Sequence, residues 1–138
     1  MKAVIDTNVL VSALWRPGGA PARVIEAVYA GTIEPVVSDD LLAEYRAVLT
    51  RRELRLPRDS VNEMLRFFAA FLLPLPPAVS PYPCPHAPDK RVLDAALSGG
   101  AEVLVTGNLK HFPSRVPGLS IMSPRHLADL LDTTPRGE

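Results

Sequence analysis

Lys2-Ala3-Val4-Ile5-Asp6-Thr7-Asn8-Val9-Leu10 is a short apolar run that ends on an acid, followed by two small polar residues and a second apolar run. A bounded run of this length predicts a buried parallel strand, although its periodicity alone also fits a buried helix. As a strand it carries Asp6 at its carboxyl end, where open α/β sheets place ligands. Thr7 and Asn8 are good capping residues for a helix starting at Val9. An unpaired carboxylate in a core is costly. Asp6 therefore requires a cation, and what the rest of the chain offers it is more acids.

Around that stretch lie 138 residues, 47% hydrophobic and 22% charged, proportions ordinary for a globular chain with one core. We read residues 1–132 as one domain and 133–138 as a frayed tail. The single cysteine, Cys84, excludes an intramolecular disulfide and a cysteine zinc cluster, and points to the cytoplasm. No apolar run has the length of a membrane span, and nothing before the first strand resembles a signal peptide, so no membrane role is expected. Lys and Arg number 15, as do Asp and Glu. Net charge therefore gives no support to non-specific nucleic-acid binding, and local clustering must supply it.

Apolar runs and amphipathic stretches alternate downstream. Residues 9–14 predict a short helix broken at Trp15-Arg16-Pro17-Gly18-Gly19, and Pro21 opens a second, reaching residue 30 and closed by Gly31. Residues 34–37 read as a strand with Pro35 near its start. Ser38-Asp39-Asp40 caps a third helix, with Leu41, Tyr45 and Val48 as its buried stripe. Glu44 falls on the same stripe. An acid on an inward helix face is either paired with a buried arginine or functional. Arg51, Arg52, Arg55 and Arg58 follow, either as a solvated turn or as a path for phosphates, which guanidinium groups bind well.

A fourth helix is expected over 59–71, and 72–75 suits a short strand. The Pro-rich residues 74–88 form a stiff linker, in which Cys84 and His86 lack the further partners a metal site needs. Asp89 opens a helix over 90–98 that stops at Gly99-Gly100. Val92, Leu93 and Ala96 share its face, so Asp89 heads the buried stripe, as cap or as ligand, while Asp94 is peripheral. Val103-Leu104-Val105 is another buried strand, ending in Thr106-Gly107-Asn108. Residues 119–122 make a last strand, and Ser123-Pro124 opens a final helix carrying Leu127, Leu130 and Leu131.

This alternation predicts an α/β fold of three layers, α/β/α, with a mostly parallel central sheet. Right-handed crossovers bring the ends of the strands at 2–5 and 103–105 to one edge of that sheet. Asp6, Glu44, Asp89 and Asn108 then each come from a strand end or an inward helix face. Oxygen donors without His or Cys select a hard cation, Mg²⁺ or Mn²⁺. Acids with no nucleophile beside them suit metal-assisted phosphoryl chemistry.

Four motifs now stand in order across nearly the whole chain: Val4-Ile5-Asp6-Thr7-Asn8-Val9-Leu10, Ser38-x-x-Leu41-x-x-Glu44, Asp89-Lys90-x-Val92-Leu93-x-Ala95-Ala96 and Val105-Thr106-Gly107-Asn108. Together they resemble the PIN domain family, and most of all the VapC-like ribonuclease toxins of prokaryotic toxin–antitoxin pairs. The resemblance implies a Mg²⁺-dependent endonuclease of single-stranded RNA in which Asp6, Glu44 and Asp89 hold the ion. In-line attack by water would leave a 5′-phosphate and a 3′-hydroxyl. Thr7 and Thr106 are candidates to orient the carboxylates. Asn108 takes a fourth catalytic position where many members carry Asp; an amide offers a carbonyl oxygen there but no charge. His111, close by, is placed to approach the scissile phosphate, but a surface residue is the favoured reading. The resemblance also implies a cognate antitoxin partner and a homodimer.

Two rival readings have their own signatures. A PIN-like module that binds RNA or a partner without cleaving is favoured by Asn108 and by the neutral net charge. An aspartyl-phosphate phosphatase would also place an acid after its first strand, but it needs a second acid two residues later, where this chain has Asn8.

Overall fold

The computed structural model describes residues 1–133. At its centre four parallel strands stand in the order β2-β1-β3-β4: β1 (Lys2–Ile5), β2 (Glu34–Pro35), β3 (Val103–Val105) and β4 (Ser120–Met122). β1 and β3 pair as Ala3↔Val103, Val4↔Leu104 and Ile5↔Val105. Ala3, Val4, Ile5, Leu104 and Val105 are fully buried, as strands covered on both faces must be.

Coverage of both faces follows from handedness. α1 (Thr7–Trp15) and α2 (Ala20–Tyr29) lead from β1 outward to β2, whereas α3 (Asp39–Leu49), α4 (Arg58–Ala69) and α5 (Ala87–Ser98) lead from β2 back across β1 to β3. Right-handed connections running in opposite directions place their helices on opposite faces. α6 (Pro124–Thr133) packs on α2 in the first layer, and α5 packs on β1 and β3. The result is the three-layer α/β/α arrangement with a parallel sheet. Between β1 and β3 the chain reverses its direction of travel, and the carboxyl ends of these two strands flank the crevice that such a reversal opens.

Several element boundaries differ from those expected. α1 starts at Thr7, not Val9, because Asp6 is itself the cap: its side chain accepts from Thr7 N. β2 contains only Glu34–Pro35, and beyond it Val37 makes a single parallel bridge to Leu72. The strand expected at 72–75 reduces to that bridge, since Pro74, Pro76 and Pro77 have no N–H to extend a ladder. In α3 the buried position after Tyr45 is Leu49, with Val48 only half-buried. α4 begins at Arg58 and ends at Ala69, and α5 begins at Ala87 with Pro88 in the first turn, where a missing N–H costs nothing. In α6 the buried pair is Leu127 and Ala128, and Leu130 is exposed. Thr133, expected in the tail, closes α6; residues 134–138 of that tail lie outside the described residues.

The Pro-rich segment is strapped onto α5. Lys90 donates to Ser80 O, to Ser80 Oγ at 2.6 Å and to Tyr82 O at 2.8 Å, and pairs with Asp94 at 3.4 Å. Ser80 N donates to Asp94 Oδ1 at 2.8 Å, and Ala78 N to Ser98 Oγ at 2.9 Å. At the far end of α5, a Cβ on Gly99 would lie 2.3 Å from Val36 Cγ1. Only glycine lets the helix end come so close to the strand-2 segment. Strap and glycine together fix where α5, and with it Asp89, sits over the sheet.

Candidate active site

The acid at the end of β1 is held on every side. Asp6 is 5% exposed, and its own N–H continues the sheet by donating to Val105 O at 2.9 Å. Oδ1 accepts from Thr7 N at 2.8 Å; Oδ2 accepts from Thr106 Oγ1 at 2.8 Å and from Asn8 Nδ2 at 3.2 Å. None of these donors is a cation. Among the described residues no Lys, Arg or His forms an ion pair with Asp6 or with Glu44. Burial pushes the Asp6 carboxyl above its ordinary value and the charges of Asp89 and Glu44 push it further, against the lowering effect of the Thr106 and Thr7 hydrogen bonds.

The other two acids approach from helices. Glu44, half-buried on α3, accepts a hydrogen bond from the Thr7 hydroxyl, which ties α3 to the first residue of α1. One residue on, Tyr45 is fully buried and donates its hydroxyl to Ile5 O. Burial, then Asp6 and Glu44, push that phenol well above its usual value, so it stays a donor. Asp89, 8% exposed, lies in the first turn of α5 and is bonded through Oδ2 to His111 Nδ1 at 3.1 Å. A carboxylate can only accept, so the ring carries its proton at Nδ1. His86, the residue before α5, packs against His111 with ring centroids 4.8 Å apart and the rings tilted by 43°.

The loop after β3 completes the edge. Thr106 is fully buried; its hydroxyl donates to Asp6 and accepts from Asn108 N at 3.0 Å. Gly107 N donates to Asn8 Oδ1 at 3.0 Å, and a Cβ on Gly107 would lie 3.3 Å from that oxygen. Asn8 thus bridges Asp6 and the Gly107 backbone. Asn108 is exposed, and its side chain hydrogen-bonds to none of the described residues. Arg51, Arg52, Arg55 and Arg58 are also exposed and stand apart from the acids, beyond the end of α3.

The structure therefore brings Asp6, Glu44 and Asp89 to one edge, with Thr7 bonded to Asp6 and Glu44 and Thr106 to Asp6. Sequence reading missed the bridging role of Asn8 and the bond of His111 to Asp89. Asn8 was legible only as a cap, because its second partner is 99 residues away. His111 has the one available signal of a histidine just past a strand end in a chain with 3 histidines. Among the described residues no three Asp, Glu, His or Cys side chains close into a ready-made metal cage. The donors still fit a hard cation by chemistry: buried or half-buried carboxylates, of which Asp6 and Glu44 have no basic partner among the described residues and Asp89 has only His111. Mg²⁺ in particular is commonly held by one or two carboxylates plus water and substrate phosphate rather than by a cage.

Residues 2–110 match the PIN domain family. The chain belongs to that family. PIN domains are generally nucleases. A relative, the uncharacterized protein MJ1680 of Methanocaldococcus jannaschii, is 27% identical over 111 residues, which cover 78% of this chain and 71% of the relative. Among solved structures this PIN domain is similar to VapBC2 from Rickettsia felis bound to a DNA fragment from their promoter. The TM-score is 0.58 at 20% identity, with 89% of this chain and 98% of the other covered. At that identity the likeness shows the fold. Among the described residues no helix is long and apolar enough to cross a membrane.

Proposed function

We propose that this PIN domain is a metal-dependent endonuclease of single-stranded RNA and the toxin half of a toxin–antitoxin pair. The observation that carries the nuclease reading is Asp6: a carboxylate 5% exposed, at the crevice between β1 and β3, close to two further acids and paired with no base among the described residues. Neutral donors hold such a charge in part, and a cation, which the described residues do not provide, would stabilise it further. Asp6, Glu44 and Asp89 would hold Mg²⁺ or Mn²⁺. When bound, the ion supplies charge neutralisation at the scissile phosphate and acidifies water for attack.

The chain's own groups do the positioning. Thr106, Asn8 and the Thr7 N–H fix both oxygens of Asp6, and the Thr7 hydroxyl fixes Glu44. His111 fixes Asp89. Asn108, exposed beside Thr106, offers its amide oxygen to the substrate side of the site. Water displaces the 3′ oxygen in line, leaving a 3′-hydroxyl and a 5′-phosphate. The likeness to a solved VapBC2 complex supports an antitoxin partner of the same kind, and a homodimer and a cytoplasmic setting go with that reading.

A second reading, a PIN module that binds without cleaving, is favoured by one observation: the fourth corner is the neutral Asn108. One assay separates the two. Single-stranded and duplex RNA are incubated with the protein in Mg²⁺, Mn²⁺, Ca²⁺ and EDTA, and product ends are mapped. Cleavage of single strands in Mg²⁺ and Mn²⁺, weak in Ca²⁺ and absent in EDTA, supports the nuclease. Binding with no cleavage under any condition supports the module, and vigorous cleavage in EDTA contradicts both.

A further inference from the structure

Trp15 is the chain's only tryptophan, and it ends α1 with 56% of its surface exposed. The indole is nevertheless fixed, because Nε1 donates to Leu54 O at 3.0 Å. Leu54 ends the tight turn Arg52–Leu54, and the next residue, Arg55, has φ 50, a left-handed backbone that non-glycine residues rarely adopt. The turn therefore pins one edge of the ring while most of the side chain faces solvent. Arg16, Arg51, Arg52 and Arg55 are all exposed nearby in sequence or across this bond, and none forms an ion pair with a described carboxylate. Residues 51–58 set four Arg against one Glu in a chain whose net charge is zero.

This surface lies in line with the acids. Thr7, at the start of α1, bonds Glu44 on α3; Trp15, at the end of α1, bonds Leu54 just past α3. α1 has 9 residues. At about 1.5 Å of rise per residue the two points are roughly 12 Å apart, a few nucleotides along an extended strand. A pinned indole beside exposed guanidinium groups suits a ligand with both planar faces and regularly spaced anions. Single-stranded nucleic acids are held in this way, bases on aromatic rings and phosphates on cations, with little regard to sequence.

We propose that Trp15 with Arg16, Arg51, Arg52 and Arg55 is a subsite for single-stranded RNA. A base a few nucleotides from the cleaved bond stacks on Trp15, and the neighbouring phosphates pair with the arginines. The choice of RNA as ligand rests on the function proposed above; the subsite itself does not require cleavage.

Because Trp15 is the sole indole, fluorescence excited beyond the absorption of the three tyrosines reports on this subsite alone. The full chain is titrated in EDTA with a single-stranded RNA of mixed sequence, with the same sequence as a duplex, and with polyglutamate. Saturable quenching by the single strand is expected, with little from the other two. Trp15→Ala should weaken binding of end-labelled RNA about 5- to 150-fold, and Trp15→Phe, which keeps a ring, should recover most of the loss. Arg52→Ala and Arg55→Ala should each lower the log–log salt slope by about 0.7. In Mg²⁺, Trp15→Ala should slow cleavage of the long strand at low concentration and leave a dinucleotide, too short to reach the patch, unaffected. Unquenched fluorescence at saturation with unchanged affinity in Trp15→Ala overturns the subsite. Quenching by polyglutamate as strong as by RNA also overturns it, in favour of an acidic protein partner. Quenching without cleavage in any metal leaves the subsite standing and sinks the nuclease, whereas cleavage without quenching does the reverse.

Discussion

The two ends of the α1–α3 pair are electrostatic opposites. At one end Asp6, Glu44 and Asp89 are buried or half-buried, and each is tied by a hydrogen bond from a neutral donor or a histidine. At the other end the arginines after α3 are exposed and bonded to no described acid. The difference is one of solvation. A charge withdrawn from water must be held by fixed donors, and it then acts at short range and high energy; an exposed charge is screened and acts weakly but additively. Substitutions at the acid end should therefore be all-or-none for chemistry. Those at the arginine end should be graded and sensitive to salt.

The largest expected effect is on cleavage. Asp6→Asn should lower it by at least about a thousand-fold, the equivalent of roughly 4 kcal/mol of lost charge stabilisation at the phosphate, as measured by single-turnover kinetics. Stability should hardly move. The amide relieves burial of an anion and repulsion from two acids, but its NH₂ faces the donors Asn8 and Thr106, so in EDTA the net change should stay within about 1 kcal/mol. A loss of several kcal/mol would instead make Asp6 a structural acid.

Next in size is His111. Among the described residues it is the one side chain hydrogen-bonded to Asp89, so His111→Phe should weaken Mn²⁺ binding about 10- to 100-fold, and His111→Asn, which returns a donor near Nδ1, should restore most of it. Equal weakening in both variants would mean that the hydrogen bond is irrelevant.

A smaller effect concerns pH in the absence of metal. Asp6 has a folded pKa raised above its ordinary value by burial and by Asp89. In the window between those two values the native chain keeps a proton that the unfolded chain has released, so native stability falls as pH rises through it. Urea unfolding in EDTA from about pH 4 to about pH 7 should show this fall, and Asp6→Asn should flatten it. A wild type and variant with parallel profiles would contradict the raised value.

The smallest effect is at Asn108. It is exposed, so Asn108→Asp should lower the half-saturating Mg²⁺ for cleavage only a few-fold, about 0.5–1 kcal/mol after screening. No change would remove Asn108 from the metal's surroundings.

How much of this was legible depended on the range of the interaction. Apolar runs such as Val103-Leu104-Val105 and the helix stripes are local patterns, and they sufficed for the α/β fold and for the place of Asp6 at a strand end. The strand expected at 72–75 failed for a local reason as well, its prolines. The bonds that build the site are not local. Asn8 reaches Gly107, Thr106 reaches Asp6 and Thr7 reaches Glu44, and such pairings depend on which strands become neighbours. Lys90, although next to Asp89 in sequence, has its ammonium taken by carbonyls of the proline strap.

The central claim is that the acid edge is a cation site, and Mn²⁺ binding tests it without reference to any substrate. Calorimetric titration of the intact chain should show a saturable site at neutral pH. Asp6→Asn and Asp89→Asn should each abolish it, while Arg52→Ala should leave it unchanged. Binding of equal strength in wild type and Asp6→Asn, or none in the wild type, would contradict the account.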